Sequence, residues 1–554
     1  MIRTFETHLI REQKELTGCL WDFIPCQGEN AGKVYKVATP GCWETYPDFG
    51  NYRGEAIYRT SFVAEGDIRL EFKGVSHTAT VCLDGQEIAT HYNAYTAFEV
   101  VVKNLAHGEH ILEVKADNSF NENSALHIPN DYMTYGGVNR PVVLEMLEDA
   151  YINYVHVTPY RKADKWNAKV EIKVTNLKED AQMLDFKALI AEEAAEWKDV
   201  VIEANDSIVL SSELEFAEVS MWEQDNPKLY KVSVTAYKDG YAIDDLIDRF
   251  GFREVSVEGK KILFNGKPIH IKGVCRHEDH PQFGCAIPYA AMAADLDIIR
   301  HLGANSVRTV HYPNDELFLD LCDEMGILVW EENHARGLSL ENMQNLNFEP
   351  QAEKVIDEMI TLHYNHPAIY IWGILNECAS ETEYGKECYR KQFELIKKLD
   401  TSRPTSFASC KFKTDISLGL PDVVSYNIYP LWYHNTSVED YLDDLYQWIQ
   451  SDTEGAGKPF LITEVGAGGI YGYRNNYNSK WTEEYQAETL EKQLTAILNY
   501  KDCQGVYIWQ FCDVRVSDEW FAARPRTMNN KGIVDEYRRR KLSYNVVKKI
   551  YEKA

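Results

Sequence analysis

The sequence predicts a multidomain chain in which two all-β units precede a (β/α)₈ barrel. Three observations carry this expectation. At 554 residues the chain is too long for one hydrophobic core. Up to Phe250 it alternates apolar and polar residues in steps of two, broken by tight-turn dipeptides. Beyond that point the period changes, and eight short apolar runs alternate with helical stretches, the pattern of a parallel sheet covered by helices.

Residues 1–149 read as a β-sandwich. Leu112, Val114 and Ala116 interleave with Glu113, Lys115 and Asp117, and Asp84-Gly85 between Thr80–Leu83 and Gln86–Ile88 is a hairpin signal among short strands. Residues 150–250 repeat the pattern. Val170, Ile172 and Val174 alternate with Glu171, Lys173 and Thr175, as do Tyr230, Val232, Val234 and Ala236 before Asp239-Gly240. Seven or so strands over such a length predict an immunoglobulin-like sandwich acting as a spacer, with no chemistry of its own.

Residues 251–554 carry the barrel. Tyr289 to Leu302 predicts a helix with Met292, Leu296 and Ile299 on one face, ending at Gly303. A second helix is expected to be capped by Asn314, with Asp315 and Glu316 in its first turn and Gly326 past its end. Strands are expected near Ile269–Val274, Asn305–Arg308, Ile327–Trp330, Ala368–Leu375, Thr405–Ala408, Val423–Tyr426, Phe460–Thr463 and Gly505–Gln510.

Two of these strands end in carboxylates. The run NHPAIYIWGILNEC (Asn365 to Cys378) is apolar from Ala368 to Leu375 and stops at Asn376-Glu377, and KPFLITEV (Lys458 to Val465) delivers Glu464 in the same way. The carboxyl ends of barrel strands are where such folds keep their reagents. Two carboxylates on separate strands suit glycoside hydrolysis, one acting as acid and then base while the other attacks the anomeric carbon. Other strand ends add Arg276 to Asp279, Arg308 with His311, Glu331 to His334, Asn427 with Tyr429, and Trp509. Arg308 is expected to pair with a carboxylate inside the mouth, and His311 and His334 to be structural.

With 58 basic and 86 acidic residues the net charge is −28, which repels nucleic acid and anionic membranes. No apolar run has the length of a membrane span, and the start shows no signal peptide, so a cytoplasmic protein is expected. Twelve cysteines scattered without a ligand spacing read as reduced, buried thiols, with Cys378 a packing residue.

The segments NHPAIYIWGILNE, ITEVG, RHEDHP (Arg276 to Pro281), RTVHYP (Arg308 to Pro313) and YIWQFCD (Tyr507 to Asp513) together resemble the motif set of glycoside hydrolase family 2, over nearly the whole chain and in order. The resemblance implies that residues 1–149 are a jelly-roll sugar-binding domain, with Gly136 to Arg140 matching a segment near its end. It implies Glu377 as acid/base, Glu464 as nucleophile and Asn376 as ligand of the sugar 2-hydroxyl. Tyr429 would sit by the nucleophile, Asp131 and His277 by other hydroxyls, and Trp509 would stack on the pyranose ring, with Asn427 also among the substrate-binding residues. Val465 departs from the Tyr that many β-glucuronidases carry after the nucleophile.

Asn529-x-Lys531 resembles the motif with which β-glucuronidases of the family hold the C6 carboxylate, so a β-uronidase is expected rather than a β-galactosidase. Arg336, just past the third strand, adds a guanidinium able to bind the carboxylate from a second side or to reach an axial C4 hydroxyl, which extends the expectation to β-galacturonides beside, or in preference to, β-glucuronides. Glu278, Glu331 and Glu332 have the chemistry of hard-metal ligands. They are expected instead to pair with Arg276, Arg308 and Arg336, leaving no metal and no cofactor. The stretch from Ala335 through Leu346 is short, which predicts tolerance of bulky leaving groups. A homo-oligomer is expected from family habit. The competing readings are a β-galactosidase of the same family and a non-catalytic carbohydrate-binding protein, whose signature would be loss of Glu377 or Glu464.

Overall fold

A computed structural model describes residues 1–520 and 524–554 in full. Its centre is a closed barrel of eight parallel strands in sequence order: β1 (Ile271–Arg276), β2 (Ser306–Thr309), β3 (Leu328–Glu332), β4 (Ile369–Ile374), β5 (Thr405–Ser409), β6 (Val423–Asn427), β7 (Phe460–Val465) and β8 (Cys503–Ile508). β8 pairs back onto β1, from Ile271↔Gly505 to Val274↔Ile508. Every residue of β4 is buried, because one face fills the barrel and the other meets helices. That double burial is why the strand reads as an unbroken apolar run.

Helices α1 (Tyr289–His301), α2 (Glu316–Met325), α3 (Leu340–Met343), α4 (Phe348–His363), α5 (Glu383–Leu399), α6 (Val438–Asp452), α7 (Glu483–Leu498) and α8 (Leu542–Tyr551) accompany the strands. α1 buries Met292, Leu296 and Ile299 as its period requires. The cap of α2 is a correction: Asp315, not Asn314, accepts from the Leu317 amide. Asn314 is turned inward, its amide nitrogen donating to the Tyr312 carbonyl, so it cannot reach back to the helix. Gly326 closes α2 at φ 69°, the left-handed conformation of a helix C-terminus.

The first sandwich corrects the expectation of uniformly short strands. Glu55–Phe72 and Phe98–Asp117 run for 18 and 20 residues and pair along most of their length. The register slips at Gly66 (φ 80°), which lets one long strand bend across the sandwich. Asp84 and Gly85 turn the predicted hairpin at φ 52° and 80°, both positive as a two-residue type I′ turn needs. The second unit packs a sheet of three strands (Ala150–Lys162, Lys165–Asn176, Ser207–Phe216) against one of four (Glu193–Ile202, Gln182–Ile190, Tyr230–Lys238, Tyr241–Phe250). Val170, Ile172, Val174, Val232 and Val234 form its core.

The first sandwich reaches the barrel mouth through residues 125–140. Arg140 donates to Glu278 at 2.8 Å and to the Pro313 carbonyl at 2.9 Å, and Tyr135 donates to Asp279 at 2.8 Å. The rings of Tyr95 and Tyr312 stack at 3.7 Å. These contacts hold the loop that carries Asp131.

All twelve cysteines are free, but Cys19, Cys26 and Cys410 are exposed and Cys82 is half-buried, so the expectation of uniformly buried thiols fails at four positions. Among the described residues no helix is long and apolar enough to cross a membrane.

Candidate active site

Past the end of β4 the backbone enters the left-handed region twice, at Leu375 (φ 47°) and Glu377 (φ 55°). Side-chain-bearing residues there cost of order 1–3 kcal/mol each and persist only when their surroundings over-determine them. Here the surroundings do. The Leu375 amide donates to Asn333 Oδ1 (3.0 Å), its carbonyl accepts from Tyr389 (2.7 Å), the Asn376 carbonyl accepts from Gly337 N (2.8 Å) and the Glu377 amide donates to the Ala408 carbonyl (2.9 Å).

Glu464, near the end of β7, accepts from Arg308 Nη1 at 3.1 Å and from the Tyr429 hydroxyl at 2.6 Å. Arg308 is fully buried and organises the floor, with two bonds to Glu332 (3.0 and 3.1 Å) and one to Asn376 Oδ1 (2.7 Å). Glu377 Oε1 accepts from Asn427 Nδ2 (3.0 Å), and Asn427 is oriented by Thr463 (2.8 Å). Burial, and next the Glu377 charge, push the Glu464 carboxyl up to about 8, against Arg308 and Tyr429, which favour its ionised form. Near neutral pH the carboxylate pair therefore holds a proton, while the two donors at Glu464, Arg308 and Tyr429, favour the charged form there.

Above the carboxylates, Asp131 collects cations. Its Oδ1 lies 3.2 Å from Arg336 Nη2 and its Oδ2 lies 2.9 Å from Arg524 Nη2 and 3.2 Å from Asn529 Nδ2. Burial pushes the Asp131 carboxyl up, but Arg336, Arg524 and Lys531 outweigh it and hold the group well below the usual range. Arg336 also comes within 3.6 Å of Glu377 Oε2 and donates to Asn130 (2.6 Å). Lys531 is buried and donates to the Tyr433 hydroxyl at 2.8 Å, with the rings of Tyr429, Trp432 and Tyr433 between 5.1 and 5.9 Å away. Burial lowers its pKa. Among the described residues no carboxylate lies within ion-pair reach of it, so the ammonium is left to attract an anion from outside.

These groups enclose a cavity of about 290 Å³ lined by Asp131, Arg336, Glu377, Cys410, Asn427, Tyr429, Tyr433, His434, Tyr441, Glu464, Trp509, Trp520, Arg524 and Lys531. Eight of the eleven expected site residues are on that wall. Asn376, His277 and Asn529 are not: they are buried and joined to it through Asn427, Trp509 and Asp131 respectively. Each keeps a buried polar atom without a hydrogen-bond partner, Asn376 Nδ2, His277 Nε2 and Asn529 Oδ1, and so does His311 at Nε2. Buried polar atoms are rarely left so, and a polyhydroxylated ligand could satisfy a cluster of them. His311 has its Nδ1 tied to Glu332 at 2.6 Å and its ring stacked on Trp509 at 5.1 Å, contacts that suit the structural role expected of it.

Sequence reasoning missed Arg524, Tyr433, His434, Tyr441, Cys410 and Trp520. Arg524 opens the same stretch as Asn529 and Lys531, so the clustering of cations there was a usable signal. Tyr433 and His434 sit in a loop with no periodicity to mark them, and Tyr441 stands in the first turns of α6, where a single aromatic residue carries no signal of a site. The expected ion pairs also need correction. Only Arg308 with Glu332 forms as expected; Arg276 pairs with Asp295 (3.0 Å), Glu278 with Arg140 (2.8 Å) and Glu331 with His363 (3.0 Å). Arg336 goes to Asp131 and Glu377 instead. Each partner comes from an element that sequence spacing does not reveal as a neighbour.

Asp320, Asp323 and His366 alone have a metal-like spacing among the described residues. Asp320 is held by Arg3 at 2.8 Å and Asp323 by His366 at 2.5 Å, and the cluster has no contact with the pocket. A larger cavity, about 590 Å³, lies where the three units meet, but its charged walls are spent in internal pairs such as Arg11 with Glu145 and Lys73 with Glu316. The paired carboxylates make the smaller pocket the candidate for chemistry.

Comparison with known proteins agrees with this geometry. The family model described as "Glycosyl hydrolases family 2, TIM barrel domain" matches residues 255–554, "Glycosyl hydrolases family 2" matches 150–253, and "Glycosyl hydrolase 2 galactose-binding domain-like" matches 51–169. A β-glucuronidase of Streptococcus agalactiae is 27% identical over 89% of this chain and 88% of its own. A β-galactosidase of Thermoanaerobacter pseudethanolicus is 30% identical over 74% of this chain and 56% of its own. The solved structure of a GH2 β-galacturonidase from Eisenbergiella tayi bound to galacturonate is 59% identical, with a TM-score of 0.99 over 100% of this chain and 99% of that one.

Proposed function

The chain belongs to glycosyl hydrolase family 2, and we propose that it is a retaining, exo-acting β-uronidase whose first substrates are terminal β-D-galacturonides. The observation that carries this reading is the buried, carboxylate-free Lys531 facing the same small pocket as Glu377 and Glu464. A neutral C6 hydroxyl would leave that ammonium desolvated and unpaired, at a cost of about 1–3 kcal/mol, whereas a C6 carboxylate pairs with it.

In the first step Glu464 attacks the anomeric carbon while Glu377 gives its proton to the glycosidic oxygen, so the leaving group departs as a neutral alcohol. In the second, Glu377 takes a proton from water, whose oxygen displaces Glu464 and releases the β-anomer. Arg308 and Tyr429 keep the Glu464 charge in place between turnovers. Asn376, Asn427, His277 and Trp509 bind and orient the ring. Asn529 and Lys531 hold the C6 carboxylate.

Arg336 supports galacturonide over glucuronide. Its guanidinium spans Asp131 and Glu377, with Nε buried and unsatisfied, and an axial C4 hydroxyl is a partner that the equatorial epimer does not supply at that position. The 59% identity to a galacturonidase supports the same choice. A cytoplasmic homo-oligomer belongs to the same reading, and twelve free cysteines fit a reducing compartment.

The deciding experiment compares kcat/KM on nitrophenyl β-galacturonide, β-glucuronide and β-galactoside for the parent, Lys531→Ala and Arg336→Ala. The galacturonide should lead in the parent, Lys531→Ala should lose both uronides far more than the galactoside, and Arg336→Ala should narrow the gap between uronides. A parent that prefers the galactoside would sink the reading.

A further inference from the structure

The pocket wall beside Glu377 differs in character from the rest. Cys410, His434 and Tyr441 complete the lining there, with no acidic or lysine/arginine side chain among them. Cys410 follows β5, whose Ala408 carbonyl receives the Glu377 amide, and the Glu377 charge is the strongest electrostatic influence on its thiol. Although Cys410 reaches solvent on one side, desolvation of its thiol in the pocket wall and next the Glu377 charge raise its pKa, and burial raises the Tyr441 phenol to about 12, so both stay neutral. The nearby Lys411 is paired with Glu381 at 3.2 Å.

The wall is also aromatic and fixed. The Tyr441 ring is flanked by Phe412 at 4.8 Å and by His434 at 5.7 Å, and it stands in the first turns of α6, capped by Ser437. The turn bearing His434 is closed by Leu431 N to the His434 carbonyl (2.7 Å) and by the Trp432 and Tyr433 amides to the Tyr429 carbonyl. Tyr485 ties the same turn to α7 through the Leu431 carbonyl (2.6 Å). On the other side, Ser409 bonds Asp415 at 2.5 Å and receives the Lys411 amide at 3.1 Å, which pins the Cys410 loop.

Position gives the wall a role. A group that protonates the glycosidic oxygen must touch that oxygen, so whatever is bonded to it departs past the residues next to Glu377. Resting on the assignment of Glu377 as acid/base, we propose that Cys410, His434 and Tyr441 form the leaving-group subsite, and that it selects galacturonides whose leaving group presents a flat ring to Tyr441. The chemistry shared by an aryl ring and the apolar face of a pyranose is a broad, uncharged surface that stacks on an aromatic side chain.

The test compares kcat/KM on four β-galacturonides. Nitrophenyl galacturonide carries an aryl ring, a galacturonosyl-glucose disaccharide carries a sugar ring, and methyl galacturonide and galacturonosyl fluoride carry none. Each is assayed with the parent, Tyr441→Ala, Tyr441→Phe and His434→Ala. Tyr441→Ala should lower the ratio of ring-bearing to fluoride substrate about tenfold, chiefly through KM, and Tyr441→Phe should restore it. His434→Ala should lower the ratio in the same sense, which keeps the test open if Tyr441→Ala fails to fold. A fall confined to the nitrophenyl arm identifies an aryl leaving group, and one confined to the disaccharide arm a sugar. Ratios unchanged in both alanine variants would overturn the proposal. A parent inactive on the fluoride, whose reaction needs no such wall, would instead count against the uronidase reading itself.

Discussion

Tyr429 donates its hydroxyl to Glu464 across 2.6 Å, on the oxygen that Arg308 does not occupy. The two bonds take one lone pair on each oxygen and hold the charge in place, leaving the other lone pairs free to attack. A hydrogen bond to a charged group contributes about 1.5–3 kcal/mol. Tyr429→Phe should therefore lower kcat by about ten- to a hundredfold with little change in KM, read from steady-state kinetics on nitrophenyl β-galacturonide. A kcat within twofold of the parent would mean that the phenol plays no part in holding the charge.

Asp131 is held by the charges of Arg336, Arg524 and Lys531 together. Removing one partner of a buried ionic cluster costs about 3–5 kcal/mol, because the remaining charges stay desolvated. Asp131→Asn should lower the thermal midpoint by several degrees and activity with it. The folded-state pKa of Asp131 is depressed, so its stabilisation is complete above the unfolded value near 3.9 and is lost only as pH falls below it. The gap in midpoint between parent and variant should then be constant from about pH 5 to pH 8. Equal midpoints across that range would contradict the ion cluster.

A third expectation concerns pH and rate. Burial, and next the Glu377 charge, raise the Glu464 carboxyl to about 8, so the carboxylate pair still holds a proton at neutral pH. As pH rises through that value the pair gives this proton up, and none is left for the leaving group. The kcat profile should fall on the alkaline side near pH 8. Glu377→Gln, assayed on an activated nitrophenyl substrate that needs no protonation, should lack that limb. The same limb in the variant would assign it elsewhere.

The barrel was legible because a strand buried on both faces has few options other than an apolar run, and its strands start and stop within about two residues of expectation. Glu377 and Glu464 were legible for the same reason, as charges that end such runs. The long bent strands of the first sandwich were not, since Gly66 breaks the alternation without breaking the strand. Nor was the partner of Arg336. Asp131 lies 205 residues earlier on another domain, and contacts such as Arg140 with Glu278 and Tyr135 with Asp279 bring its loop to the barrel mouth. The capping error at Asn314 has a local cause, because Asn and Asp cap equally well and sequence does not say which one faces the helix.

The account stands or falls on which carboxylate becomes covalently bound to a uronic acid. Incubation with 2-deoxy-2-fluoro-β-galacturonosyl fluoride, followed by proteolysis and mass spectrometry, measures this directly, since the fluorine at C2 slows release of the glycosyl-enzyme more than its formation. One equivalent of fluorogalacturonosyl should be found on the peptide containing Glu464, with activity lost in step and none of the label in Glu464→Gln. Label on Glu377, or release of the α-anomer from the ordinary galacturonide with no labelled peptide, would contradict it.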